Sequence, residues 1–139
     1  MRHALTIDVE EFFQVHALSR VVSMDTWDAY PSSVEESAEL ILNLLEARGV
    51  KATFFCLGWI AERHPGLIRR IHRAGHEIAS HGYAHTVIYD QEPAVFRADT
   101  SKAKSILEDI TGEAVLGYRA PTYSITRRTL WALDILEEL

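Results

Sequence analysis

Two histidines, His81 and His85, stand four residues apart immediately after the short apolar pair Ile78-Ala79. On a helical turn, side chains at i and i+4 share one face, so these two imidazoles could grip a single ion. The spacing matches the two-histidine helix of zinc hydrolases, but without the intervening glutamate, so a third ligand has to come from elsewhere. The donor indicated by the sequence is Asp8-Val9-Glu10, at the end of the apolar run 4–7. Strand alternation sends Asp8 and Glu10 to the same side. Two imidazoles with carboxylate oxygen suit zinc or a similar divalent ion. Histidine pairs also arise on solvated helix faces, and acidic pairs also cap helices. The metal reading therefore rests on both motifs falling at strand ends of one chain.

The elements that must position these groups recur in order. A strand over 4–7 is followed by an irregular segment containing Trp27, Tyr30 and Pro31. Ser32 or Ser33 then caps a helix through Arg48, with Val34, Ala38, Ile41, Leu42, Leu44 and Leu45 as its apolar stripe, and Gly49 stops it. The almost continuously apolar stretch 52–57 reads as a parallel strand buried on both faces. Pro65 opens a second helix that Gly75 ends, and a strand over 77–80 leads to the histidines. A helix over 93–110 has Val95, Phe96, Ala103, Ile106, Leu107 and Ile110 inward. A fourth strand is expected over 114–118, and a last helix from Thr126 through Leu136. Strand, loop and helix recurring four times with polar motifs after strands is the pattern of a parallel α/β barrel or open sheet. A closed barrel takes about 200 residues or more. Four units do not close, so the expectation is part of a longer domain, or an open edge covered by a second copy in a homo-oligomer.

Composition narrows the partners. With 139 residues, 47% of them hydrophobic, the chain can build one real core. A net charge of −6 without a basic stripe argues against nucleic acid and anionic membranes. The single cysteine, Cys56, excludes an internal disulfide and reads as a buried small residue. Neither a signal-peptide run nor a membrane span is visible, so a cytoplasmic location is expected.

The ordered motifs Thr6-Ile7-Asp8-Val9-Glu10, His81-Gly82-Tyr83-Ala84-His85 and Arg119-Ala120-Pro121 resemble the polysaccharide deacetylases of the NodB-homology class, carbohydrate esterase family four. The stretches 51–59, 75–82 and 117–121 are similar to the branch found beside bacterial exosortase and exopolysaccharide loci. The likeness spans essentially the whole chain, as the N-terminal part of one deacetylase domain. It implies a deformed (β/α) barrel of fewer than eight units and metal-dependent removal of acetyl groups from N-acetylhexosamines. Asp8 then matches the base that takes a proton from water, and Arg119 the arginine that orients it. His81 and His85 match the histidine ligands, and Glu10 stands for the carboxylate ligand, although most members carry two adjacent aspartates where this chain has Asp8-Val9. The implied cofactor is a divalent ion, Zn2+ first, with Co2+ or Ni2+ also fitting. The implied partner is an N-acetylated polysaccharide or oligosaccharide, contacted by Pro121, Thr122 and Tyr123, with a backbone N–H after Pro121 facing the developing oxyanion. Where the family keeps a tyrosine after the proline, Thr122 stands here and Tyr123 follows.

Arg119 is expected to hold Asp8 through a bidentate contact. By itself such an arginine is more often a surface salt bridge. Trp59, Trp131 and Tyr83 read as core or covering residues, whereas Trp27 and Tyr30 are candidates for a sugar-stacking platform. His76 reads as structural, and His3, His16, His64 and His72 show no partner pattern. The family's later motifs, which supply the general acid, lie beyond the stretches matched. The chain alone is therefore expected to bind metal but to turn over poorly. Two other readings stay open: a non-catalytic metal- or sugar-binding module, and an amidohydrolase of small cyclic amides.

Overall fold

The computed structural model describes residues 3–139; Met1 and Arg2, which precede the first expected strand, lie outside the described residues. Three strands, β1 (Thr6–Val9), β2 (Thr53–Cys56) and β3 (Glu77–Ser80), form a parallel sheet in the order β1-β2-β3. The register sets Asp8 beside Phe55 and Phe55 beside Ala79, so the strands end level. Both neighbours of β2 are parallel, and each crossover carries helix: α1 (Val34–Arg48) from β1 to β2, then α2 (Gly58–Arg63) and α3 (Pro65–Arg73) from β2 to β3. After β3 come α4 (Pro93–Thr111) and α5 (Trp131–Glu138). This is the α/β arrangement expected, covering part of a barrel.

The expected fourth strand over 114–118 is reduced to one parallel bridge between Ser80 and Tyr118. Side chains of α4 take its backbone groups instead. Glu108 accepts from the Val115 N–H at 2.9 Å, and Lys104 donates to the Val115 carbonyl at 2.9 Å. The segment still lies against β3, because Gly117 has no Cβ; one built there would sit 2.9 Å from the Ala79 Cβ.

The helices bury apolar stripes at 3.6-residue spacing. Helix α1 inserts Val34, Ala38, Leu42 and Leu45, and Gly49 at φ +60 closes it by donating to the carbonyls of Glu46 and Leu45. Leu67, Ile68 and Ile71 of α3, with Phe96, Ala103 and Leu107 of α4, are fully buried. Two expected inward residues face out: Leu44 and Val95 are each 57% exposed. Helix α2 has no counterpart in the sequence reading, because it is only six residues long. The last helix starts at Trp131 rather than Thr126, since Thr129 Oγ1 accepts the Thr126 N–H at 2.8 Å and donates to the Ser124 carbonyl at 3.1 Å. That side-chain turn replaces the first helical turn.

The proposed sugar platform is not one. Trp27 is 5% exposed and packs edge-on against Trp59 (5.4 Å), while Tyr30 stacks on Phe13 (5.1 Å). The irregular segment folds these aromatics inward because it covers the strand ends on that side. Cys56 is fully buried, and burial first, then the nearby Asp8 charge, pushes its thiol far up from the usual range. His76 is buried and accepts the Ala52 N–H at its Nδ1 (3.2 Å). Among the described residues no helix is long and apolar enough to cross a membrane.

Candidate metal centre

The carboxyl ends of the strands carry the site. Glu10 follows β1, His81 follows β3, and Arg119 follows the bridge to β3. The His81 N–H donates to the Cys56 carbonyl (3.0 Å) and the Arg119 N–H to the Ser80 carbonyl (2.9 Å), so each enters the site from a fixed backbone.

His81 and His85 do not share a helical turn. Residues 81–87 are loop, with Gly82 at φ +76 and His85 at φ +52. A left-handed residue at each position folds the loop back, and the two imidazole centroids come 5.1 Å apart in edge contact. Asp99 of α4, absent from the sequence reading, holds this shape. Its carboxylate accepts the N–H groups of Tyr83 (2.8 Å) and Ala84 (3.1 Å). Burial raises the pKa of Asp99, against the pull of those two amides. On the other side the loop carbonyls of Gly82 and Tyr83 accept from Gly58 (2.9 Å) and Trp59 (3.2 Å), at the start of α2. A Cβ at Gly82 would meet the Asp99 carboxylate at 2.9 Å, so backbone conformation and space both call for glycine there.

Of the two acids, the structure separates Glu10 from Asp8. One ligand atom each from Glu10, His81 and His85 lies within 4.8 Å of the other two. Glu10 Oε2 sits 2.8 Å from His85 Nε2 and 3.7 Å from His81 Nε2. His81 and His85 are buried, at 2% and 7% exposure. His81 Nδ1 lies 2.8 Å from the Arg119 carbonyl, which makes Nδ1 the protonated nitrogen and leaves the Nε2 lone pair for the cluster. Glu10 Oε2 has no well-aligned hydrogen bond despite its burial, and neither has His85 Nδ1. An ion among the three side chains would satisfy the carboxylate oxygen, and the donor set of one carboxylate and two imidazoles fits a transition metal.

Asp8 is drawn aside. Arg119 Nη1 donates to Asp8 Oδ1 at 2.5 Å, its Nη2 donates to Thr6 Oγ1 at 2.7 Å, and the guanidinium lies 4.1 Å above the Phe55 ring. The fork is therefore shared between an acid and a hydroxyl, not bidentate to Asp8, because Thr6 lies on the same strand face two residues earlier. Glu10, the histidines, Asp8 and Arg119 open on one cavity of about 380 Å3, which Ala120, Thr122, Tyr123, Val15, His16 and Ala17 also line. Thr122 and Tyr123 are both left-handed (φ 54 and 52), and the Tyr123 N–H is taken by the Ala120 carbonyl (3.1 Å). His16, left unassigned by the sequence reading, is in the site; nothing in its spacing pointed there.

Charge follows from these contacts. Burial pushes the His81 imidazole below its ordinary value, only partly offset by the Arg119 carbonyl and the Asp8 charge. Burial also works against ionisation of Glu10, but the contact with His85 and, once the rings are protonated, the Coulombic pull of His85 and His81 outweigh it and lower its pKa. Both groups thus sit in their metal-binding protonation states at neutral pH. In the metal-free protein the unfolded chain takes up protons first: at the ordinary imidazole value of 6.5 for His81 and for His76, which burial also lowers, and near 4.5 for Glu10. Stability is present above those values and is lost as pH falls through the window down to the lowered folded-state values. Asp99 acts in the opposite sense, while from pH 7 to pH 5 the two histidines dominate and Glu10 adds its loss below that range. The melting temperature of the apo protein is expected to drop steadily from pH 7 to pH 5; a flat or rising profile would contradict this account.

One carboxylate and two imidazoles at the strand ends of an α/β fold make a donor set that can hold a transition-metal ion. The chain belongs to the polysaccharide deacetylase family, whose family model matches residues 17–137. It is 36% identical over 95 residues to a peptidoglycan-N-acetylglucosamine deacetylase of Bacillus cereus, covering 68% of this chain and 34% of that one. It is 30% identical to a chitooligosaccharide deacetylase of a Bradyrhizobium species, covering 69% of this chain and 42% of the relative. Among solved structures it is similar to a Mycobacterium smegmatis protein assigned as a polysaccharide deacetylase (TM-score 0.77, 29% identity, 97% of this chain and 47% of that one). It is also similar to the Bc1960 peptidoglycan N-acetylglucosamine deacetylase (TM-score 0.73, 27% identity, 97% and 52%). The chain thus spans about a third to a half of the length of these relatives.

Proposed function

We propose that this chain carries the metal-binding half of a carbohydrate N-deacetylase that hydrolyses acetamido groups of an N-acetylated polysaccharide, an exopolysaccharide by sequence resemblance, with zinc as the ion. The observation that carries the reading is that the Glu10, His81 and His85 cluster and the Asp8–Arg119 pair open on the same cavity. Glu10 and the two histidines would hold the ion. When bound, it supplies Lewis acidity toward water and the acetyl carbonyl.

Asp8 takes the proton of the attacking water through the carboxylate oxygen left free by Arg119. Arg119 keeps Asp8 ionised and fixed, itself clamped between Thr6 and Phe55. With the Tyr123 amide engaged, the Thr122 amide is the loop donor assigned to the developing oxyanion. Water adds to the carbonyl carbon, the carbon–nitrogen bond breaks, acetate departs, and the sugar amine takes up a proton. No residue placed here is assigned that last proton. Lack of a general acid costs about 10²–10⁴ in rate, so the 139 residues are expected to turn over slowly.

The test is acetate release from chitotetraose by the purified chain, with zinc and with a chelator. Slow, chelator-sensitive acetate release with one zinc per chain supports the reading. A chain that takes no zinc, or that opens cyclic ureides instead of releasing acetate, overturns it. Arg119→Lys is expected to lower acetate release about 10- to 100-fold with zinc affinity unchanged, since one ammonium cannot reach both Asp8 and Thr6 and a charge-assisted bond is lost.

A further inference from the structure

The strand-end cavity contains an imidazole that neither the metal cluster nor the Asp8–Arg119 pair uses. His16 opens the short 3-10 turn His16–Leu18 and lines the cavity beside Val15 and Ala17. The turn is held by backbone bonds from Leu18 to Val15 (2.9 Å) and from Ser19 to His16 (3.0 Å). The ring packs edge-on against Tyr89, with centroids 6.4 Å apart and planes at 90°. Tyr89 belongs to the turn Ile88–Asp90, whose Ile88 N–H donates to Ser124 Oγ (2.9 Å), and Ser124 Oγ donates to the Pro121 carbonyl (2.6 Å). The turn that backs His16 is therefore tied to the loop on which Thr122 and Tyr123 line the same cavity.

Three histidines away from the cavity have protein partners. His76 accepts from the Ala52 N–H, His64 faces Glu35 at 3.7 Å, and His72 faces Glu113 at 3.2 Å. For His16 the edge contact with Tyr89 is the ring interaction seen among the described residues, and its nitrogens are engaged by no protein hydrogen bond there. A neutral imidazole offers one donor and one acceptor, which matches sugar hydroxyls that do both. Val15 and Ala17 flank the imidazole with apolar surface, and a polar group set among apolar side chains is how ligand sites fix orientation.

We propose that His16 is a substrate-contacting residue that hydrogen-bonds a hydroxyl of the N-acetylated sugar, with Tyr89 as the residue that positions its ring. The inference rests on the deacetylase reading above. The test uses the zinc-loaded chain with chitotriose as the probe, binding being followed by titration calorimetry and zinc by mass spectrometry. His16→Ala is expected to weaken chitotriose about tenfold, the loss of one hydrogen bond, with one zinc still bound. His16→Gln, which keeps a donor and an acceptor, recovers most of the affinity. Tyr89→Phe keeps the ring edge and binds as wild type, whereas Tyr89→Leu weakens binding toward His16→Ala. Equal chitotriose affinity in wild type and His16→Ala, with zinc retained in both, overturns this inference and leaves the deacetylase reading standing. A wild-type chain that binds neither zinc nor chitotriose overturns the reading and the inference together.

Discussion

Zinc affinity is expected to fall by more than about 100-fold in Glu10→Ala and in His81→Ala, since loss of even an outer-shell partner costs 10–100-fold and the proposal makes these side chains ligands themselves. Their geometry sets the expectation: three ligand atoms within 4.8 Å, two of the groups nearly fully buried, and Glu10 Oε2 without an aligned hydrogen bond. Asp8→Asn provides the internal contrast. Asp8 is turned to Arg119 and outside the cluster, so that variant should keep one zinc. Competition against a chromogenic chelator measures the affinities. Thermal melts give a second readout: zinc at 100 times the wild-type dissociation constant adds about 2.7 kcal/mol to wild type and less than about 0.4 kcal/mol to the ligand variants. Stoichiometric zinc in Glu10→Ala together with loss in Asp8→Asn would transfer the carboxylate role to Asp8.

Glu11→Ala is expected to cost about 3 kcal/mol of stability, or a fall of roughly 10 °C in melting temperature. Glu11 is 2% exposed and does for helix α1 what neither serine before it does. Its Oε1 accepts the N–H groups of Ser33 (2.9 Å) and Val34 (3.0 Å) and the Ser32 hydroxyl (2.5 Å), while Oε2 accepts from the Ser33 hydroxyl (3.2 Å). Its own N–H donates to Gln14 Oε1 at 2.7 Å. A carboxylate at a helix N-terminus gains from the orphan amides and from the helix dipole, and removal leaves those donors unsatisfied in a dry place. Glu11→Gln, which keeps one acceptor oxygen, should lose about half as much. Equal melting of wild type and Glu11→Ala would mean that water or Ser33 replaces the cap. Because Glu11 adjoins Glu10, the same cap also ties the end of β1 to α1, which fixes where the Glu10 carboxylate emerges.

Much of this was legible in the chain itself. The apolar run at 52–57 identifies a buried parallel strand, because a strand covered on both faces has no polar alternation to hide it. Gly49 and Pro65 mark helix boundaries through backbone geometry that is local. Residues near Asp8, His81 and Arg119 announce a strand-end site because strands deliver their last side chains to one edge of a sheet. The helical reasoning that joined His81 to His85 named two rings that do meet, but by the wrong conformation: a loop with two left-handed residues brings them together.

Contacts remote in sequence decided the rest. Which of Asp8 and Glu10 faces the histidines depends on Arg119, more than a hundred residues away, drawing Asp8 toward itself. Asp99 and Glu11 carry no local signature, since a single acid on a helix or after a strand acquires meaning only from the amides it is brought against. The stretch 114–118 has strand composition, yet Lys104 and Glu108 take its hydrogen-bonding groups. Trp27 and Tyr30 read equally well as a sugar platform or as core until Phe13 and Trp59 are seen against them. Periodicity and turn chemistry are encoded over a few neighbouring residues, so the sequence alone determined the elements and the edge of the sheet where chemistry gathers. The partners of buried charges and aromatics are set by packing across the fold, and only the tertiary structure could decide them.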